Sequence, residues 1–198
     1  KNGINRVVLP EKNVAEASFV KGSTLVPISK FSDLVEILKS GIWPAPYIRV
    51  NETEEVEDTE HDLVDIKGQE TMKRGIMIAV AGFHNILMTG SAGAGKSMIA
   101  KCIPGIMPPL SYEESMELTK IYSVAGMLNE ERGFIRNRPF RCPSQNISQM
   151  ALLGGGAIPK PGEVSLATGG VLFLDEFPEF DRRTLETLRQ PLENGEIT

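Results

Sequence analysis

Short apolar runs, punctuated by proline, glycine and charge, set out the elements of this chain. Arg6-Val7-Val8-Leu9, closed by Pro10, predicts a strand, and residues 14–19 a short helix. Thr24-Leu25-Val26 before Pro27 predicts a second strand. Ser32 is then expected to cap a helix over residues 33–39, with Leu34, Val35, Ile37 and Leu38 as its apolar positions and Gly41 as its end. Farther along, residues 69–82 predict a helix whose apolar surface is Met72, Ile76, Ile78, Ala79 and Val80. Asn85-Ile86-Leu87-Met88-Thr89 is the continuous apolar run of a buried parallel strand. Residues 97–103 predict a helix stopped by Pro104, and Ser111-Tyr112-Glu113-Glu114 a capping box opening a helix to about Ile121. Val171-Leu172-Phe173-Leu174 predicts another buried strand, and Asp181 a cap for a last helix through Gln190, ended by Pro191. Strands alternating with helices place the chain in the α/β class with a parallel sheet.

Composition then divides the chain. Its 198 residues suffice for one substantial domain with a small companion. Net charge is −5, yet eight acids and no Lys or Arg lie in residues 51–65, leaving 18 acids against 21 bases elsewhere. Self-repelling charge keeps a chain open, and Trp43-Pro44-Ala45-Pro46 precedes this run, so residues 42–61 are expected to be a solvated acidic linker. The forty or so residues ahead of it cannot usually bury a core alone and suggest the tail of a larger domain. No 18-residue apolar run exists to span a membrane. Cys102 and Cys142, forty residues apart, make neither a disulfide framework nor a zinc spacing, which points to a reducing, cytoplasmic setting. The chain starts at Lys1 without a basic-then-apolar leader, so no signal peptide is predicted, and the missing initiator Met suggests a fragment.

Two motifs carry chemistry. Gly90-Ser91-Ala92-Gly93-Ala94-Gly95-Lys96-Ser97 fits G-x-x-x-x-G-K-[ST], between a predicted strand and a helix. Glycines let successive N–H groups turn inward around phosphate oxygens. Lys96 supplies a mobile positive charge, the Ser97 hydroxyl can take one magnesium position, and the helix from Ser97 and Met98 onward aims its positive end at the same anion. ATP with Mg²⁺ is the expected ligand. About eighty residues later, four apolar residues lead into Asp175 and Glu176. Asp175 suits the water shell of magnesium, and Glu176 the polarisation of an attacking water. Lys96 and Glu176 are the candidate catalytic residues. Residues 132–162 contain Arg132, Arg136, Arg138, Arg141 and Lys160 and no acid. Arg136, Arg138 and Arg141 around Phe134 and Phe140 could meet a nucleic-acid backbone, with an aromatic ring to stack. Pairing with acidic residues between subunits or near nucleotide is the weightier alternative. Cys102 and Met72, Met77, Met88, Met98 and Met107 are expected to be core, and His84 to pack or bond to the backbone.

With these residues in place, the chain resembles the magnesium-chelatase-like AAA+ ATPases, specifically the competence-linked ComM group. The resemblance is carried by Asp65-Ile66-Lys67-Gly68-Gln69-Glu70, Gly82-Phe83-His84-Asn85, the glycine-rich loop, Pro108-Pro109-Leu110-Ser111 and Ser123-Val124-Ala125-Gly126. It continues through Arg138-Pro139-Phe140-Arg141, Gly154-Gly155-Gly156, the 161–167 block, Asp175-Glu176 and Arg189-Gln190-Pro191-Leu192-Glu193. Together these cover nearly all of residues 62–198, the expected first part of the ATPase domain. Residues 1–41 look like the last segment of a Lon-protease-like (ribosomal S5 domain 2-like) domain. In two places the chain departs from the group. Ser91-Ala92 replaces a common Pro-Pro, and Ser144-Gln145-Asn146 stands where relatives usually carry a His pair.

The resemblance implies a P-loop AAA+ module that hydrolyses ATP and remodels a partner. It further implies a ring, a homo-hexamer, acting on DNA, with an arginine finger beyond Thr198. Two alternatives stand beside this: a motor subunit of magnesium chelatase acting on a protein, and a nucleotide-binding structural module without turnover.

Overall fold

The computed structural model describes residues 5–20, 22–48, 61–91, 93–128 and 133–194. Ala92, Arg132 and most of the acidic run therefore lie outside the described residues. The chain forms two compact units, residues 1–55 with 127–135, and residues 56–126 with 136–198.

In the first unit, β1 (Arg6–Pro10) leads through a 3-10 turn into α1 (Val14–Ala17) and on to β2 (Thr24–Ile28), which pairs with β1 in parallel. β2 does not stop at Pro27 but runs through it, opposite Leu9. In a two-stranded sheet alternate N–H groups face an open edge, so a proline there forfeits no ladder bond. Val14, Phe19, Leu25, Val26 and Ile37 are buried. α2 (Phe31–Ser40) starts two residues ahead of the expected position. Lys30, not Ser32, is its N-cap, because Asp33 Oδ2 accepts the Lys30 backbone N–H at 2.9 Å. Gly41, at φ 69°, ends it as expected.

The start of the expected linker is not free. Tyr47 donates its backbone N–H to Leu25 O at 2.9 Å, and the Arg6 guanidinium lies 4.2 Å from the Trp43 ring centroid. Residues 127–135 belong to this unit too. The Phe134 ring stacks on Phe19 with centroids 4.1 Å apart.

The second unit begins with a 3-10 turn, Leu63–Asp65, capped by Asp62, followed by α3 (Glu70–Ala81) and α4 (Lys96–Ile106). Its first core comprises Leu63, Ile66, Ile76, Ile99, Cys102 and Ile103, with Met72, Val80, Met88 and Met107 packed around them. Met77, Ile78 and Met98 are exposed instead, so they are not core filler. α4 passes through Pro104 rather than stopping there, since proline's φ is helical and only one bond, to the carbonyl four residues back, is lost so near the end. The main-chain N–H of His84 donates to Ala79 O at 2.8 Å.

Residues 85–89 were expected to be a buried parallel strand. They join no ladder among the described residues, and Leu87 is 79% exposed. A parallel strand needs neighbours on its edges, and among the described residues none pairs with this run.

α5 (Tyr112–Ala125) opens on the predicted capping box. Ser111 Oγ accepts the Glu114 N–H at 3.1 Å, and Glu114 Oε2 the Ser111 N–H at 2.7 Å. It runs four residues beyond Ile121, to a left-handed Gly126. β3 (Phe140–Arg141), which the pattern did not disclose, pairs in parallel with β6 (Val171–Leu172). Between them lie α6 (Gln149–Leu153), the antiparallel pair β4 (Gly154–Gly155) and β5 (Lys160–Pro161), and α7 (Glu163–Leu166). At Gly170 a Cβ would collide with the Pro139 carbonyl, so only glycine lets β6 draw alongside β3.

The last helix is broken into α8 (Arg182–Thr187) and α9 (Arg189–Asn194). Asp181 caps α8 as expected, accepting the Thr184 N–H at 3.1 Å. Pro191 sits in the first turn of α9, where a missing N–H is harmless, so it does not end the helix.

Candidate functional site

Gly95, at φ 82°, turns the loop into α4, whose first residue is Lys96. A side chain would be strained in that left-handed conformation. Lys96 Nζ donates to the Gly90 and Ser91 carbonyls, each at 2.9 Å, so the ammonium arches over its own loop. Gln69, itself left-handed at φ 56°, donates from Nε2 to Ala94 O at 2.8 Å. Sequence reasoning assigned Gln69 no role. Only its place in a motif block, just before α3, could have marked it.

Ser97 Oγ donates to Asp175 Oδ2 at 2.7 Å, a bond spanning 78 residues. It brings the glycine-rich loop and the end of the β6 run together. Glu176 follows with φ 53° and ψ 48°, and its backbone N–H is held by Asp175 Oδ1 at 3.0 Å. Gln145, four residues beyond β3, donates from Nε2 to Glu176 Oε2 at 2.5 Å. Because β3 and β6 are parallel, their C-terminal ends emerge on one side, and the two following loops meet there. Of the predicted site residues, Gly90, Ser91, Gly93, Ala94 and Gly95 lie in the loop, Lys96 and Ser97 open α4, and Asp175 bonds Ser97. Met98, 53% exposed, faces away from the core.

The donor set suits a hard cation: a hydroxyl and a carboxylate in contact, both oxygen ligands, the rest left to water and phosphate. Among the described residues no group of three or more His, Cys, Asp and Glu could by itself hold a metal ion. Cys142, near Asp175, is an exposed free thiol, pushed up first by desolvation and then by the Asp175 charge. Cys102 is buried, and desolvation pushes its thiol up.

The basic segment has other occupations. The Arg138 side chain, 5% exposed, donates to the Pro108, Gly169 and Pro109 carbonyls and lies 3.6 Å from Glu114. Arg141 grips Glu163 with two bonds, 2.6 and 2.7 Å long, and that hydrogen bonding raises the guanidinium further above its ordinary value. Phe140 stacks on Phe173 at 6.0 Å, and Phe134 on Phe19. Among the described residues of this segment, Arg138 and Arg141 are thus engaged within the chain, and the rings of Phe134 and Phe140 are packed.

These features define a mixed α/β protein with parallel strand pairing, of the kind related to AAA+ proteins. The chain belongs to the magnesium chelatase, subunit ChlI, family, which matches residues 62–198. It is 52% identical over 138 residues to uncharacterized protein YifB of Escherichia coli (strain K12), covering 70% of this chain and 27% of that protein. Against competence protein ComM of Haemophilus influenzae the identity is 51% over 138 residues, 69% of this chain and 26% of that one. Uncharacterized protein Rv2897c of Mycobacterium tuberculosis is 40% identical over 198 residues, all of this chain and 39% of its own length. The chain thus spans well under half of the curated relatives it matches. Among the described residues, no helix is long and apolar enough to cross a membrane.

Proposed function

We propose that residues 62–198 are the nucleotide-binding part of an AAA+ ATPase that binds ATP with Mg²⁺ and hydrolyses it. The observation that carries this reading is the 2.7 Å bond from Ser97 to Asp175, which joins a phosphate-type loop to an acid three residues beyond β6. Loop amides of residues 90–97 and Lys96 would hold phosphate oxygens. Ser97 and Asp175 would hold magnesium, which when bound neutralises phosphate charge. Glu176 would take the proton of an attacking water. In the longer protein this module would work as a cytoplasmic homo-hexameric ring that remodels DNA. The relative named a competence protein favours DNA over a protein partner, although the family's own description keeps a chelatase motor in view. Residues 1–41 would close a preceding Lon-protease-like domain.

The test is ATP turnover by the longer protein, with and without single-stranded or branched DNA, beside Glu176→Gln. DNA-stimulated hydrolysis is expected, with the amide variant binding ATP but turning over at least about 100-fold more slowly. Turnover that needs a porphyrin-pathway protein would favour the chelatase reading. An unchanged kcat in Glu176→Gln would remove the base assignment, and no turnover by the unaltered protein would leave a binding module.

A further inference from the structure

Residues 133–135 follow α5 and precede β3 in the sequence, yet they group with the first unit, and the chain rejoins the second at Arg136. Their seat is specific. Gly133 is buried in the left-handed conformation, φ 58°, and a Cβ there would stand 3.0 Å from the Ala15 carbonyl carbon and 3.1 Å from the Glu16 nitrogen of α1. Glycine answers both the conformation and the close approach. The Phe134 ring then lies flat on the buried Phe19, with 10° between the planes. Four residues separate this seat from β3. Within them Arg138 donates to the Pro108 and Gly169 carbonyls, proline fixes φ at position 139, and Pro139 O accepts the Val171 N–H at 2.8 Å. Farther on, Arg141 O accepts the Phe173 N–H at 2.8 Å, two residues before Asp175. The path from Phe134 to the acid that bonds Ser97 is therefore short, and it is pinned on both sides of residues 136–137.

We propose that Gly133 and Phe134 form a docking hook whose partner is the α1–Phe19 surface of the first unit. Through residues 136–141 the hook couples the order of that surface to nucleotide at the Ser97–Asp175 site. This rests on the reading of that site as the seat of ATP with Mg²⁺. Coupling between two sites is reciprocal. A ligand that orders Asp175 and β6 protects α1, and loss of the hook weakens the hold on the ligand.

Hydrogen exchange at residues 14–19 of the longer protein reads the coupling, with and without the non-hydrolysable analogue adenosine 5′-(β,γ-imido)triphosphate and Mg²⁺. In the parent, the bound analogue should slow exchange there about 5-fold or more. Phe134→Ala unseats the hook, so exchange should be fast in both states, and analogue affinity should fall by the factor that the parent shows in exchange. A second variant, with Gly-Ser-Gly-Ser inserted between Arg136 and Asn137, keeps the hook and slackens the path. Its exchange without ligand should match the parent's, and its response to the analogue should vanish. If the insertion variant responds as the parent does, the path is not the coupler and the proposal falls. If the parent shows no slowing although isothermal titration finds the analogue bound, the proposal falls and the nucleotide reading stands. If the analogue does not bind the parent, the nucleotide reading falls and this proposal with it.

Discussion

Lys96 illustrates how a single side chain is placed by its neighbours. Its ammonium rests on the Gly90 and Ser91 carbonyls, the rim of the loop that would receive phosphate. Among the described residues no other cation is bonded to those two carbonyls. Lys96→Ala is therefore predicted to abolish ATP binding, and isothermal titration showing retained micromolar affinity would sink the loop assignment. Arg138 makes the opposite case, a cation used for structure. Removing it would strand the Pro108 and Gly169 carbonyls and part of the Glu114 charge. We predict that Arg138→Ala loses about 2–4 kcal/mol in denaturant unfolding. A loss of DNA affinity at unchanged stability would restore the phosphate-contact role. The glycine-rich loop and the acid pair were legible because their chemistry needs fixed residue types at fixed spacing. Arginine partners were not, since Arg138 and Arg141 find theirs 22 to 31 residues away, where no local pattern reaches.

At the scale of elements, caps were the most legible features and strands the least. Ser111 and Glu114 satisfy each other's backbone groups within one turn, so four residues suffice to write the box. Ser111→Ala should destabilise α5 by about 1 kcal/mol. The Ser111 N–H, above all, and the nearby Arg138 charge hold the Glu114 carboxyl below its ordinary range. A lowered folded value means the box is intact above the ordinary carboxylate range and is lost as pH falls through the lowered one, which NMR titration of Glu114 would follow. Strands depend on partners elsewhere in the chain. β3 has two residues and a proline before it, too little for a period-two pattern, and exists because Gly170 lets β6 approach. Ser32 was misjudged as a cap because Asp33 competes, its carboxylate reaching back to Lys30. Phe134 looked available for base stacking, yet it covers Phe19. Phe134→Ala is predicted to weaken the first unit by about 1–3 kcal/mol and to leave DNA binding of the longer protein unchanged. Unaltered hydrogen exchange around Phe19, with weakened DNA binding, would reverse that assignment.

For the molecule as a whole, an exposed apolar stretch lies just ahead of the glycine-rich loop. Phe83, Ile86 and Leu87 are 69%, 39% and 79% exposed, and residues 85–89 join no ladder among those described, although Met88 packs on the core. An apolar stretch such as Ile86-Leu87-Met88, joined to no ladder among the described residues, is a template on which edges of other chains pair. Burying one leucine is worth about 1.5–3 kcal/mol, so two copies gain by covering this run mutually. The polypeptide of residues 1–198, made alone, is therefore predicted to self-associate with concentration, to bind ATP poorly and to hydrolyse none. Leu87→Lys should suppress the association by setting a like charge on each copy's edge. In the longer proteins, where 61% or more of the chain lies outside the span shared here, the reading as an AAA+ sheet requires this run to be covered from within. There the same lysine should destabilise the fold by several kcal/mol, as an unpaired buried charge does. Size-exclusion chromatography of the short polypeptide and thermal unfolding of the long one measure the two arms. A monomeric, steadily hydrolysing 1–198 polypeptide, indifferent to Leu87→Lys, would show that the run needs no cover and that the sheet is already complete.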